Sequence, residues 1–376
     1  MPGPDKRKTL VFHIGDHKTG STSIQLAFAQ HRVVLQGHSL FYPAKLAMNA
    51  LGGQFTAYGQ AKTEQERRAT AQPLEKLVQR IQQSDADFVL ISAEDFEGVP
   101  VALFHEIVET FFAKVVDEIR IIGYVRPHAA RIISSFAERT KIGIPTTLTN
   151  DLAGFAARRK SAKEFIYLPR FAAWRDHFAD KFILRPMIRS QLHQGSVVDD
   201  FLHHAFGGIP FTVADSPSKT AQANESLCLE DLMRLKVMQG HLAVKPNIRL
   251  KVGWEFARLV SHMPPPPTRT KIQLHRSLAR DIRASYMKDA RSLDQAFFGG
   301  APLMENELHD AVKTARTRPQ STAPSDYLCA SELRSLELLS GMVKGLLEKE
   351  GVNWPAFLHR KRIRDVEQAR ISAPSQ

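Results

Sequence analysis

The chain has 376 residues, of which 43% are hydrophobic and 8% aromatic, a composition typical of globular proteins large enough for one large domain or two smaller ones. Its 51 Lys and Arg residues outnumber 39 Asp and Glu, and the net charge of +12 favours anionic ligands such as nucleotides or acidic glycans. The two cysteines, Cys228 and Cys329, lie far apart in sequence and form no metal-type pair. Residues 1–8 are polar and charged, and the apolar core of a signal peptide does not follow them. We expect a soluble cytoplasmic protein without a transmembrane segment.

Strands alternate with helices in the first part of the chain, which predicts a parallel β-sheet flanked by helices. A short apolar run starting at Thr9 is the first buried strand, and 24–30 continues as a helix. Further on, the pattern predicts an extended segment at 39–43, a loop or lid at 44–60, helices at 63–83, 101–116, 126–141 and around 171–178, and strands at 88–92, 118–125 and 181–184.

Strands are no longer predicted from about residue 221, where amphipathic helices take over. A run of prolines at 264–267 interrupts them, and 316–326 is a second loop. We therefore expect an α/β domain over residues 1–220 and a mostly helical region over 221–376. The basic tail from His359 is expected to be a solvated helix end, and we expect no nucleic-acid binding.

A glycine-containing loop follows the first strand and leads into a helix that begins with hydroxyl residues, His13-Ile14-Gly15-Asp16-His17-Lys18-Thr19-Gly20-Ser21-Thr22-Ser23. The first amides of a helix lack intrahelical acceptors and carry partial positive charge, so they bind anions. Gly20 would let the backbone approach a phosphate, and Lys18 supplies a full charge. The loop differs from a Walker A motif because Lys18 precedes Gly20 instead of following it.

A second basic position, Arg126, follows the third strand, and Ser134 lies two turns along the next helix. The carboxyl ends of parallel strands form the ligand edge of an open α/β sheet, so this pair could hold a second phosphate. A structural ion pair for Arg126 and an ordinary surface hydroxyl for Ser134 are the alternatives. The two-phosphate interpretation requires Lys18 and Arg126 to lie on the same rim of the sheet.

The order Lys-Thr-Gly-Ser-Thr-Ser resembles the 5′-phosphosulfate-binding loop of PAPS-dependent sulfotransferases, in its bacterial form. The spacing Val-Arg-x₇-Ser, ending at Ser134, resembles the 3′-phosphate-binding motif of the same family. Segments 91–96, 183–202 and 224–227 extend the resemblance. It implies a P-loop-like α/β fold, PAPS as donor, an acceptor hydroxyl or amine, and a C-terminal region that completes the acceptor side. The PAPS-binding residues it implies are Lys18, Thr19, Gly20, Ser21, Thr22, Ser23, Arg126 and Ser134.

Sulfuryl transfer from PAPS leaves negative charge on the departing phosphate, which Lys18 and the loop amides could stabilise as it develops. Phosphoryl transfer uses Mg²⁺ to neutralise the phosphate charges. A sulfuryl group carries less charge, so the same requirement does not apply and we expect no metal. The acceptor must lose a proton, and Glu94 is the first candidate base, although it could instead cap a helix or pair with an arginine. His17 is the second candidate, and its other possible role is to orient the loop.

Other assignments stay open. Arg185 and Arg189 are expected to be surface charges more than nucleotide contacts, and Asn224 to cap a helix or to close over the donor. An ATP-dependent P-loop kinase could use Glu94 and Asp95 as Mg²⁺ ligands, and a non-catalytic protein could bind polyanions through its basic surface. The sequence does not specify the acceptor, although the positive charge favours an anionic saccharide or polysaccharide.

Overall fold

The computed structural model describes residues 7–215, 227–242, 246–348 and 353–370. By their contacts these residues divide into two compact units. The first falls within Met1–Arg126, Tyr167–Pro217 and Val366–Gln376, and the second within Pro127–Ile166 and Ser218–Asp365. The division near residue 217 is close to the expected domain boundary, but residues 127–166 group with the helical part of the chain.

Seven strands are described, all of them in the first unit. Five form a parallel sheet in the order β3-β4-β1-β5-β6, and the other two, β2 and β7, form an antiparallel pair. Their bounds are β1 Thr9–His13, β2 Val33–Leu35, β3 Leu40–Phe41, β4 Phe88–Ser92, β5 Glu118–Val125, β6 Phe182–Pro186 and β7 Phe211–Val213.

Helices make up most of the remaining described chain. Those of the first unit are α1 Ser21–Ala29, α2 Ala50–Gln60, α3 Glu64–Gln82, α4 Val101–Ile107, α8 Leu168–Phe178 and α9 Val197–Ala205. Those of the second are α5 His128–Lys141, α6 Pro145–Thr149, α7 Leu152–Ser161, α10 Leu229–Leu242, α11 Pro246–His262, α12 Arg276–Phe297, α13 Leu303–Lys313 and α14 Ala330–Leu347, while α15, Trp354–Gln368, crosses the division at residue 366. No described helix has the length and apolar character that a membrane span requires.

The parallel sheet is covered on both faces, which is why its strands are almost continuously apolar. Alternate residues of β1 point to opposite sides. Val11 belongs to a buried cluster with residues of α1 and α9, such as Phe28 and Phe201. Phe12 packs on the other side, with its ring 5.2 Å from that of Phe104, which lies 4.8 Å from Trp174. The two-sided burial fixes the position of the central strand.

The strands at the sheet carboxyl edge are aligned by their register. His13 at the end of β1 pairs with Ser92 of β4 and with Ile122 of β5. The ring Nδ1 of His13 shares a 2.8 Å hydrogen bond with the Ser92 hydroxyl, and complete burial lowers the pKa of His13 to about 4, an effect that the charge of Glu94 partly offsets. A neutral buried histidine therefore ties β1 to β4 directly beneath the loop.

Most of the predicted elements are confirmed: the parallel sheet with its flanking helices, the four long strands, and α3, which a Thr63–Glu66 capping box begins. The loop predicted at 44–60 is wrong over its second half, where α2 forms. Leu51, Phe55 and Tyr58 lie on one side of that helix and are buried. The predicted helix at 101–116 is also too long, because the α-helix ends at Ile107 and continues only as a π-helical turn to Phe112.

Candidate functional site

The loop between β1 and α1 turns through a left-handed backbone conformation at Gly20 that glycine adopts readily. Gly20 is the N-cap residue of α1 with φ of +87°, and a Cβ atom there would lie 2.8 Å from Cγ1 of Val197. Both facts exclude a larger residue at this position without rearrangement. Lys18, two residues earlier, also has positive φ, at +68°. The chain therefore turns sharply twice before the helix begins.

Backbone donors collect at the start of α1. The amide of Ser23 donates to the Gly20 carbonyl at 2.9 Å, which closes the first turn. Among the residues that the structure describes, none accepts a hydrogen bond from the amides of Gly20, Ser21 or Thr22. Such donors at a helix N-terminus, beside a lysine, are suited to an anion.

Asp16 and Arg170 anchor the first half of the loop. The Asp16 carboxylate is only 3% exposed and accepts from Nη2 of Arg170 at 2.7 Å. Nη1 of Arg170 lies 3.3 Å from Oε1 of Glu97. The other carboxylate oxygen, Oε2, accepts a hydrogen bond from the backbone amide of His17 at 3.0 Å. Burial alone would lower the pKa of Arg170, but Asp16 and Glu97 raise it above its usual range. One guanidinium thus links the loop to the segment after β4.

His17 and Glu94 are brought together from opposite sides of the same edge. Nδ1 of His17 lies 3.2 Å from Oε2 of Glu94, within hydrogen-bonding distance. The imidazole is about half exposed and the carboxylate largely buried, at 46% and 21% of the side chain. The backbone amide of Glu94 is held by Asn49 at 3.0 Å. The two residues that the sequence offered as alternative bases therefore form one pair.

The charge state of Glu94 follows from its neighbours. Burial is the largest influence and would raise its pKa, but the hydrogen bond from His17 and the nearby Ser21 hydroxyl and Lys18 charge lower the pKa of Glu94 below its ordinary value. Burial and the charge of Glu94 raise the pKa of Asp95, the exposed neighbour. At neutral pH Glu94 is a carboxylate that can accept a proton.

Arg126 lies at the same rim as Lys18. Its Nη1 donates to the backbone carbonyl of Lys18 at 2.7 Å, and its own carbonyl accepts from the Tyr167 hydroxyl at 3.0 Å. The structure therefore brings together the two basic positions that the two-phosphate interpretation requires. In this arrangement the Arg126 guanidinium also supports the turned backbone at Lys18.

Four other residues carry predictions from the sequence: Ser134, Asn224, Arg185 and Arg189. Ser134 lies on α5 in the second unit and is buried, so the alternative of an ordinary surface hydroxyl is wrong. That Ser134 and Arg126 together hold a second phosphate stays a prediction. Asn224 lies outside the described residues. Arg185 makes a bidentate contact with the buried carboxylate of Asp200, at 2.7 and 3.1 Å, and is a structural residue of the sheet. The expectation that Arg185 is a surface charge is therefore wrong, because Asp200 holds it. Arg189 is exposed, as expected.

Arg170 and Glu97 are the site residues that sequence reasoning missed. Arg170 is far from the loop in sequence and lies in an aromatic-rich helix, so no local spacing connects it to Asp16. Glu97 belongs to the acidic run after β4, and only its contacts separate its role from that of Glu94. The one sequence signal was Asp16 itself, an acidic residue inside an otherwise basic, glycine-containing loop. If such a carboxylate is buried, it requires a partner.

Among the described residues, no group of three or more His, Cys, Asp or Glu side chains is arranged to hold a metal ion. Comparison with protein-family models, with curated proteins and with solved structures finds no match for this chain. The site must therefore be interpreted from its own geometry.

Proposed function

We propose that the chain is a PAPS-dependent sulfotransferase with a P-loop-like α/β fold. The loop supports this proposal, because backbone amides and a lysine converge where a parallel sheet binds its ligands. The observation that carries it is the His17–Glu94 pair, 3.2 Å apart, immediately beside that loop. An anion site combined with a proton acceptor is what transfer of an anionic group to a hydroxyl needs.

In the proposed reaction, an oxygen of the acceptor hydroxyl, or the nitrogen of an amine, attacks the sulfur of PAPS. The bond between sulfur and the 5′-phosphate oxygen breaks, and PAP leaves with the electron pair. Lys18 and the amides of Gly20 to Thr22 would stabilise the charge that grows on that phosphate. The acceptor proton passes to Glu94, with His17 holding the carboxylate in place and serving as the second candidate base.

The acceptor side of the proposal depends on charge. The excess of basic residues favours an anionic saccharide or polysaccharide as the acceptor. Cys228 and Cys329 are free thiols, which supports a reducing compartment such as the cytoplasm.

The class of the protein is tested by calorimetric titration with PAP, PAPS, ADP and ATP, each with and without Mg²⁺. We expect clear preference for the 3′-phosphorylated nucleotides, independent of the metal. Binding of ATP and ADP that needs Mg²⁺ and ignores the 3′-phosphate would instead favour a kinase. Salt-sensitive binding of polyanions, with no nucleotide binding, would favour a polyanion-binding protein.

Lys18→Ala is expected to weaken PAP binding by about tenfold or more, the loss of one charge-assisted contact at about 1.5–3 kcal/mol. Sulfuryl transfer should fall further, because the charge is greatest in the transition state. Lys76→Ala, an exposed lysine of α3, is the matched control and should change neither quantity. Equal behaviour of the two variants would contradict the role of the loop.

Glu94→Gln is expected to abolish turnover while PAP still binds, because the amide cannot accept the proton. The lowered pKa of Glu94 also predicts that the acid limb of the rate profile lies below the ordinary range of a glutamate. A limb near neutral pH, lost in His17→Gln, would transfer the role of base to His17. Near-normal turnover of Glu94→Gln would exclude Glu94 as the base.

A further inference from the structure

Three histidines form a cluster at the carboxyl end of α9. His203 and His204 lie in the last turn of α9, and His193 belongs to residues 187–196, which connect β6 to α9. The rings of His193 and His203 are almost parallel, with 4.4 Å between their centroids and 8° between their planes. The ring of His204 lies 4.9 Å from that of His203 and is nearly perpendicular to it. The cluster therefore joins the connecting segment to the end of the helix.

A buried carboxylate beside this cluster fastens α9 to the sheet. Asp200 is completely buried, accepts from the Tyr124 hydroxyl of β5 at 2.8 Å and pairs with Arg185 of β6 at 2.7 Å. Its Oδ1 also accepts from the backbone amide of His193 at 2.9 Å and lies 3.7 Å from Nε2 of His204. Asp200 thus connects two strands of the sheet with the helix and with two of the three histidines.

Burial and neighbouring positive charges oppose protonation of the cluster. Burial is the largest influence and lowers the pKa of His204, the charges of Arg185, His203 and His193 lower it further, and Asp200 offsets part of this effect. Two protonated rings 4.4 Å apart would also repel each other. The unfolded chain binds these protons without such opposition. The stability that the neutral cluster contributes is therefore present above about pH 6.5 and is lost as the pH falls.

The other charged groups around the cluster do not supply a second acidic partner. Arg120 of β5 donates from Nη1 to the Ala205 carbonyl at 3.1 Å, and its Nε pairs with Glu118 at 2.5 Å. Arg189, in the connecting segment, is exposed, and Asp199 lies one turn before His203 on α9. Among the described residues, Asp200 is the one carboxylate within 4 Å of a ring nitrogen of the three histidines.

The other end of α9 packs against the loop between β1 and α1. Val197 is the first residue of α9, and a Cβ atom added at Gly20 would lie 2.8 Å from its Cγ1. Val197, Asp200 and His204 have the spacing i, i+3 and i+7, so they lie along one side of the helix. A helix of two to three turns moves as a rigid element, so a displacement at the histidines reaches the backbone at Gly20.

We propose that His193, His203 and His204 are an acid-sensitive control of the loop, in which their protonation loosens α9 and weakens the anion site at Gly20. The control of nucleotide binding rests on the proposed function, whereas the loosening of α9 does not require it. Histidine gains its charge between about pH 8 and 5. Over that range the stacked rings begin to repel each other, the hold of Asp200 on the helix weakens, and Val197 loses its fixed position against Gly20.

Hydrogen exchange of the full chain at pH 7.5 and 5.5, corrected for the intrinsic pH dependence of exchange, tests the loosening. Wild-type protection in α9 and in the loop is expected to fall roughly fivefold at the lower pH, the low end of coupling between linked sites. His203→Phe keeps an aromatic ring in the stack but cannot become charged, so its protection should change little, and His193→Phe is an independent second variant.

His177→Phe is the matched control for these measurements. His177 belongs to the same unit, and its ring lies 5.6 Å from that of His105, away from α9, so this variant should behave as the wild-type chain does. Wild-type protection that does not change with pH would overturn the proposal. The same fall in His203→Phe and His193→Phe as in the wild-type chain would also overturn it.

Titration with PAP at the same two pH values tests the link to binding. The affinity of the wild-type chain is expected to fall roughly fivefold more than that of His203→Phe, because titration of the nucleotide phosphates affects both proteins equally. An equal fall in the two proteins would overturn the control of the loop. A chain that binds no PAP at either pH, yet shows the difference in hydrogen exchange, would refute the proposed function and confirm the acid-sensitive helix.

Discussion

The ion pair between Asp16 and Arg170 offers the sharpest test of how the loop is held. Asp16 is 3% exposed and Arg170 one-quarter exposed, with 2.7 Å between Oδ2 and Nη2. Replacing Arg170 with methionine keeps much of the side-chain volume but leaves the carboxylate buried without this partner. Breaking a buried pair costs about 3–5 kcal/mol, and because Arg170 is partly exposed we expect about 3 kcal/mol from Arg170→Met.

Urea unfolding at neutral pH, followed by circular dichroism, measures this loss. Arg68→Met is the control, because the pair between Arg68 and Glu64 is 78% and 70% exposed and should contribute at most about 1 kcal/mol. Adding Asp16→Asn to Arg170→Met should recover much of the stability, since the buried charge is then removed.

An Arg170→Met chain no less stable than Arg68→Met would show that the Asp16–Arg170 pair does not stabilise the fold. The double variant offers a second check: if Asp16→Asn makes no difference in the Arg170→Met background, the carboxylate is satisfied by other groups. In either case PAP titration of the same variants shows whether the loop itself has moved.

Two further predictions concern packing and pH. Gly52→Ala in α2 should destabilise the protein by about 1–3 kcal/mol, because the added Cβ would lie 2.7 Å from the Asp95 carbonyl oxygen. Gly53→Ala, where the added Cβ has open space, should instead stabilise it by up to ~1 kcal/mol. Equal urea midpoints for the two variants would contradict this difference. The hydrogen bond from Arg258 lowers the pKa of Glu255 from 4.5 to about 2. The stability it contributes is present above pH 4.5 and is lost as pH falls towards 2. We expect about 1–2 kcal/mol after solvent screening, and in Glu255→Gln that part of the acid dependence should vanish.

The local sequence pattern is sufficient to predict the strands that are buried on both faces of the sheet. The strands β1, β4, β5 and β6 are short apolar runs between polar turns, and a strand covered on both faces has that composition wherever it lies in the sheet. The loop from Gly15 to Ser23 was also evident, because glycines, a lysine and hydroxyl residues in that order point to an anion-binding turn. These features depend on residues close together in sequence.

Tertiary structure alone decided what depends on distant residues. The sequence predicts a loop at α2 because its glycines lower helix propensity. In the structure the helix is stabilised by the burial of Leu51, Phe55 and Tyr58, and Gly52 packs closely against Asp95 after β4. His17 and Glu94 are 77 residues apart in sequence, and their positions do not show that they contact each other. The parallel pairing of β1 with β4 places the segments that follow the two strands side by side, and this forms the pair. Arg170 reaches Asp16 across 154 residues. Side-chain partners of this kind are set by how strands and helices pack, which no local spacing records.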